Sequence, residues 1–127
     1  MRTFLFAIIG ATLLLAGCVA KTEPISAHGK PVAFWVDELQ NSDADARKLA
    51  VTNLGHVGTA DPAVLPALID AVADADAVVR DAAVLALLNI GPDAADATDA
   101  LNEALGDKDA TVRVHAAKAL ARIQGGK

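Results

Sequence analysis

The sequence predicts an all-α protein, a short solenoid of three helix pairs that follows an N-terminal export signal and a tether. The prediction rests on a 33-residue period in the charged and apolar positions and on helical spacing of the apolar residues within each period. Fixed periods of roughly 20 to 50 residues are typical of helical arrays, in which each unit is buried only against its neighbours. The sequence therefore indicates an array of similar units.

Three arginines mark the period, since Arg47, Arg80 and Arg113 lie 33 residues apart. An aspartate precedes each arginine by four residues, and a leucine follows each by seven. These residues are Asp43, Asp76 and Asp109, and Leu54, Leu87 and Leu120. The same register extends backwards into a first helix, so that the predicted pairs cover about residues 31–58, 62–91 and 94–124.

In the middle repeat the second helix is predicted from one apolar stripe at 3.6-residue spacing, made of Val79, Ala83, Leu87 and Ile90. Asp74 or Asp76 precedes this helix, where a short carboxylate can cap free backbone N–H groups. Gly91 and Pro92 then end it. Trp35 aligns with Leu68 and Leu101, which predicts that it packs in the core of the first repeat. The alternative for Trp35 is a partly open edge of the array.

The repeats resemble a known family. A leucine-rich first helix is followed by D-x-D-x-x-V-R and then A-A-x-x-A-L-x-x-I-G, as in DADAVVRDAAVLALLNIG and DKDATVRVHAAKALARIQG. This pattern resembles the short HEAT repeats of the kind also found in phycobilin lyase-type proteins, over about residues 31–124. The resemblance implies a binding scaffold, and it implies that the aspartates and arginines of the period support the turns and the stacking of repeats. Asn41 and Ala46 depart from the pattern, which fits a terminal capping repeat.

The chain begins with features of a lipoprotein precursor. Arg2 precedes an apolar run that is built like the core of a secretory signal. Leu15-Ala16-Gly17-Cys18 then resembles the lipobox of bacterial lipoproteins, which implies cleavage before Cys18 and acyl chains, palmitate among them, on the new N-terminus. Val19 follows Cys18, and the absence of an Asp there resembles the sorting pattern for the outer membrane of Gram-negative bacteria. This implies that the protein faces the periplasm. The alternative is an ordinary signal peptide followed by an incidental cysteine.

These features predict three segments. Residues 1–17 are a lipoprotein signal peptide, residues 18–30 are the lipidated Cys18 and a flexible tether, and residues 31–127 are the repeat domain. Cys18 is the only cysteine, so no disulfide is possible within the chain.

Charge narrows the range of partners. The 16 acidic residues outnumber the 11 basic ones, for a formal net charge of −5. Removal of Arg2 with the signal peptide makes the remaining chain more acidic still. This balance argues against nucleic acid and against electrostatic docking on anionic lipid. The membrane contact is therefore predicted to run through the lipid on Cys18 alone.

The sequence shows no pattern of catalytic or metal-binding residues. His28, His56 and His115 occupy different positions in the repeat, and no His-Glu dipeptide is present. Ser26 and Ser42 are the only serines, and neither lies in a Gly-x-Ser-x-Gly elbow. We therefore expect a protein that is not an enzyme and that carries no metal and no cofactor.

A protein-binding groove is predicted on the second helices. Opposite the core stripe of the middle second helix lie Asp81, Leu85 and Leu88. With Lys48 and Lys118 of the neighbouring repeats, they form a candidate site with an apolar centre and a charged rim. The alternative is that neighbouring helices cover both leucines.

The predicted function is that of a non-catalytic scaffold, anchored in the bacterial envelope, for a protein partner that the sequence does not identify. Two alternatives stay open. The first is an accessory factor in cofactor or chromophore attachment, similar to the lyase-type HEAT proteins. The second is a structural lipoprotein that self-associates through the open ends of its array.

Overall fold

A computed structural model describes residues 25–126, and within this range the chain forms six α-helices in three consecutive pairs. The first helices are α1 (Val32–Glu38), α3 (Val64–Ala71) and α5 (Thr98–Ala104). The second helices are α2 (Ala44–Val57), α4 (Ala77–Ile90) and α6 (Ala110–Gly125). Short 3₁₀ segments, Gly58–Ala60 and Gly91–Ala97, connect the pairs. The predicted all-α solenoid of three helix pairs is confirmed.

The helices form two layers. The second helices pack side by side, α2 on α4 and α4 on α6, and these are the most extensive helix contacts in the described chain. The first helices cover one side of this layer and touch one another much less. The predicted stripe of α4 forms part of the core, since Val79, Ala83 and Leu87 are fully buried and Ile90 packs against them. None of the described helices is long and apolar enough to cross a bilayer.

The second helix of each pair is capped at its N-terminus by an aspartate. Asp43, Asp76 and Asp109 are the N-caps of α2, α4 and α6, and each has extended backbone angles. Each side chain accepts a hydrogen bond from the backbone N–H two residues ahead, at 2.8 to 3.1 Å. These bonds satisfy N–H groups that have no partner inside the helix. At the other end of α2 and of α4, Gly58 and Gly91 have φ values of 59° and 73°, which favour glycine.

The start of the domain differs from the prediction. Residues 25–30, predicted as part of the tether, lie in the folded unit, where strand β1 (Ser26–Ala27) pairs antiparallel with β2 (Lys30–Pro31). The turn between them uses positive φ at His28 and Gly29. Trp35 is buried, as its alignment predicts, and its Nε1 donates to the Ala27 carbonyl oxygen at 3.0 Å. This hydrogen bond fastens the hairpin to α1.

The predicted signal peptide, Cys18 and the tether as far as residue 24 lie outside the described residues.

Candidate functional site

A cleft of about 290 Å³ opens between α2 and α4. Its position follows from helix geometry, because Lys48, Thr52 and Gly55 precede the core residues Ala50, Leu54 and Val57 by two positions each. Two positions correspond to about 200° around an α-helix, so the first set faces away from the core. The cleft lining is Lys48, Thr52, Gly55 and His56 from α2, and Ala82, Leu85, Ala86 and Asn89 from α4.

The floor of the cleft consists of small residues because the two helices approach closely there. A Cβ atom added to Gly55 would lie 2.9 Å from the Ala86 Cβ, which is closer than real Cβ contacts allow. Leu85 is half-buried on one wall, and Lys48 is exposed on the other. The cleft therefore combines an apolar floor and wall with one cation. An apolar side chain next to a carboxylate is the complementary chemistry.

The structure separates the five residues of the predicted groove. Lys48 and Leu85 line the cleft together. Leu88 does not line it, and its partly buried side chain packs against the core. Asp81 pairs with a histidine, and Lys118 is exposed on α6 outside the cleft lining. Only part of the candidate site is thus brought into one place.

The corresponding gap between α4 and α6 is bridged by a side-chain pair. His115 Nδ1 and Asp81 Oδ1 lie 2.6 Å apart, and both side chains are mostly buried. The positions that correspond to Asp81 and His115 between α2 and α4 carry Lys48 and Ala82, which make no such bond. The two helix interfaces therefore differ at these positions, and the cleft lies at the interface without the pair.

Several lining residues were not among the five residues of the predicted site. Thr52, Gly55, Ala86 and Asn89 give no chemical signal in the sequence, because small and neutral residues are equally common in helix contacts. The close approach at Gly55 could have been suspected, since the other repeats carry Leu88 and Ala121 at that position. A glycine inside a helix lowers its stability by about 1 kcal/mol relative to alanine, so a packing reason is expected.

The arginines of the first two repeats connect neighbouring repeats. Arg80 donates from Nε and Nη2 to the two carboxylate oxygens of Asp107, at 2.8 and 2.9 Å. Arg47 makes the same bidentate contact with Asp74, at 2.9 and 3.0 Å. Each arginine also donates from Nη1 to two carbonyl oxygens of its own preceding turn, at 2.9 and 3.2 Å. One guanidinium thus joins its own turn to the turn of the next repeat.

The environment of these pairs perturbs their pKa values. The side chains of Arg80 and Asp107 are only 7% and 10% exposed. The hydrogen bond from Arg80 lowers the pKa of Asp107 below its ordinary value, although burial opposes the shift. For Asp74 burial is the largest influence and would raise the pKa, but hydrogen bonds from Arg47 and from the Asp76 N–H outweigh it. Both carboxylates are therefore charged at neutral pH, as a bidentate arginine contact requires.

A second cleft, of about 420 Å³, lies along α3. Leu65, Pro66 and Ile69 form its apolar part, and the carboxylates of Asp61 and Asp70 stand among the lining residues. It belongs to the layer of first helices, whereas the predicted groove lies on the second helices. Elsewhere, no three His, Cys, Asp or Glu side chains of residues 25–126 group closely enough to hold a metal ion.

Comparison with known proteins agrees with this architecture. The family model of HEAT repeats matches residues 32–121, and the chain belongs to that family. One similar solved structure is the crystal structure of an engineered protein, with 24% sequence identity and a TM-score of 0.63. The match covers 75% of this chain and 46% of that one, so this chain spans about half the length of its structural neighbour. The likeness shows the fold alone. No curated protein matches the sequence.

We expect Arg80→Leu to lower the free energy of unfolding by roughly 1 to 3 kcal/mol, because Asp107 is left in a mostly buried place without its cationic partner. Arg113→Leu is the matched control, since Arg113 contacts no carboxylate among residues 25–126. It should change stability by about 0.5 kcal/mol or less. Urea unfolding followed by circular dichroism measures both variants. Equal losses would contradict the structural role of the contact between repeats.

Acid should weaken the same contact. The pKa of Asp107 is lower in the folded chain than its ordinary value of 3.8, so its stabilisation is complete above that value and is lost as the pH falls through the folded pKa. The urea midpoint of the wild-type chain should therefore fall steeply below about pH 4. Asp107→Asn should flatten this part of the curve while lowering stability at neutral pH. An unchanged acid limb in this variant would be the contrary result.

Proposed function

We propose that this chain is a lipid-anchored, non-catalytic scaffold of the bacterial cell envelope, which binds a protein partner in the cleft between α2 and α4. Its HEAT repeats make it a helical repeat scaffold for protein interaction. The observation that carries the proposal is the cleft itself, where Leu85 and a floor of small residues lie beside the cation of Lys48.

The size and chemistry of the cleft describe the part of the partner that would enter it. A volume of about 290 Å³ accommodates one or two side chains rather than a whole helix. The small floor residues Gly55, Ala82 and Ala86 favour a bulky apolar side chain, because only a protruding group reaches them. A neighbouring Asp or Glu of the partner would pair with Lys48 at the exposed edge, where it adds specificity more than affinity.

A membrane anchor would compensate for the weak affinity expected of a small cleft. The lipobox around Cys18 supports attachment through acyl chains, and several chains together give stable anchoring where one gives only marginal binding. Confinement to a membrane raises the effective concentration of the scaffold for other membrane-bound proteins. Weak contacts in the cleft then suffice. Val19, which follows Cys18, supports a position in the outer membrane, facing the periplasm.

The cleft can be tested in cells with a photo-crosslinking amino acid in place of Thr52, an exposed lining residue. We expect crosslinking to one discrete partner, reduced at least tenfold by Leu85→Glu because a carboxylate would replace the apolar wall. Leu49→Glu is the matched control, since Leu49 is 55% exposed on α2 and does not line the cleft. Leu88 is unsuitable for this test because it packs against the core.

Two results would count against the cleft. One is crosslinking that survives Leu85→Glu in a variant whose melting curve is unchanged. The other is an equal loss in Leu49→Glu and Leu85→Glu, which would indicate a general effect of added charge.

The anchor requires its own experiment. Cys18→Ala should leave an unprocessed precursor without lipid, because the thiol of Cys18 is the proposed acceptor of the first acyl group. Metabolic labelling with a palmitate analogue, together with mobility on a gel, measures both effects. Val19→Ala should keep labelling and processing. Normal processing of the Cys18 variant would refute the lipoprotein assignment and leave the cleft untouched.

A further inference from the structure

Arg113 is held in the same pose as the two arginines that connect repeats. Its Nη1 donates to the Asp107 carbonyl oxygen at 2.7 Å and to the Lys108 carbonyl oxygen at 3.2 Å. Arg47 and Arg80 make the equivalent pair of bonds to their own turns. The last turn therefore orients its arginine before any carboxylate is present.

The other edge of this guanidinium has no acceptor among residues 25–126. In Arg47 and Arg80 the Nε and Nη2 groups donate hydrogen bonds to the aspartate of the following repeat. In Arg113 the same two groups make no hydrogen bond to a described residue, and the side chain is exposed. A planar pair of donors in fixed orientation is a receptor for a carboxylate.

Residues 25–126 leave the surface around Arg113 uncovered in the same way, and the adjacent Val114 is 52% exposed. Leu105 is 42% exposed, whereas Val72, at the corresponding position one repeat earlier, is 6% exposed beneath the third repeat. Ala117 is exposed where Val84 is fully buried. The internal interface of the array thus shows what covers this kind of surface, namely a helix pair that places an aspartate on the arginine.

We propose that the end face formed by Leu105, Arg113, Val114 and Ala117 binds a helix pair of a partner protein whose turn presents an Asp or Glu to Arg113. The apolar residues of the end face pack under the helices of the partner, as Val72 and Val84, the counterparts of Leu105 and Ala117 one repeat earlier, are buried within the array. The carboxylate sets the register of the contact. This surface lies on α5 and α6, away from the cleft between α2 and α4, and the proposal does not depend on the proposed function.

A second copy of this chain is poorly suited to the end face. Stacked in the register of the repeats, it would place Asn41 where Asp74 and Asp107 meet their arginines. The Asn41 Oδ1 accepts from the Asp43 N–H at 2.9 Å, as Asp74 and Asp107 accept from their own turns, but the second terminal atom of Asn41 is Nδ2, a donor, which bonds Glu38 at 3.2 Å. One amide oxygen cannot reproduce a bidentate carboxylate, and the hairpin strand β1 also packs against α2.

The test combines the purified full chain with a fluorescently labelled synthetic peptide of residues 92–126. This peptide carries the helix pair whose Asp107 meets Arg80 within the chain. Fluorescence anisotropy should show saturable binding, with a Kd raised at least tenfold by Arg113→Gln in the chain or by Asp107→Asn in the peptide. Arg122→Gln, which changes another exposed arginine of α6, should leave the Kd unchanged.

A covalent version removes the cost of association for a peptide that must fold as it binds. A further copy of residues 93–125 is fused directly after Gly125 of the full chain. In this extended chain, Arg113→Gln should reduce the folding equilibrium constant. The reduction should be at least tenfold larger when the copied Asp107 is present than when it has been replaced by Asn. Coupling in this extended chain supports the proposal even if the peptide alone is silent.

Two outcomes would overturn the proposal. In the first, neither the binding of the peptide nor the stability of the extended chain responds to Arg113→Gln. In the second, sedimentation of the full chain alone shows self-association that Arg113→Gln abolishes. The end face would then belong to a second copy of this chain rather than to a different protein.

Discussion

Arg47 and Arg80 hold the array together, because each joins the turn before its own helix to an aspartate in the turn of the next repeat. The need for such a link follows from helix length. The first helices have only seven or eight residues, and isolated helices of that length do not persist in water. A helix pair is therefore stable only against its neighbour. The contacts of Arg47 with Asp74 and of Arg80 with Asp107 set the register at which the apolar stripes of adjacent repeats meet.

The candidate site arises from a difference between two similar interfaces. Between α4 and α6 the pair of Asp81 and His115 bridges the outer side, and Leu88 packs against the core. Between α2 and α4 the corresponding residues include Lys48 and Gly55, so the backbones approach closely below and the space above stays open. Repetition supplies a common frame, and the few residues in which the two interfaces differ leave an open cleft at one of them.

Whether a feature can be predicted from the sequence depends on how far apart along the chain the interacting residues lie. The helices were predictable, because the spacing of Val79, Ala83 and Leu87 is a local feature, whereas the cap of α4 was narrowed only to Asp74 or Asp76. The carboxylate partners of the arginines were not predictable, since two aspartates stand in the turn before α4 and two in the turn before α6, and the bonded one lies 27 residues from its arginine. Leu85 and Leu88 share one side of a helix, and only the neighbouring helix decides which of them lines the cleft. The hairpin was missed because a strand of two residues has no periodicity to detect.

For a chain anchored at Cys18, as proposed above, that hairpin would limit how far the folded unit can stand from the membrane. With residues 25–31 folded onto α1 and α2, only six residues remain between Cys18 and Ile25. Fully extended, this stretch spans at most about 25 Å. A scaffold anchored at Cys18 would therefore lie close to the lipid headgroups and could meet only those partners that come within a short distance of the same leaflet. In an anchored chain, the hydrogen bond between Trp35 and Ala27 would thus limit the distance between the membrane and the folded unit. Releasing the hairpin would lengthen the tether by about six residues, or roughly 20 Å.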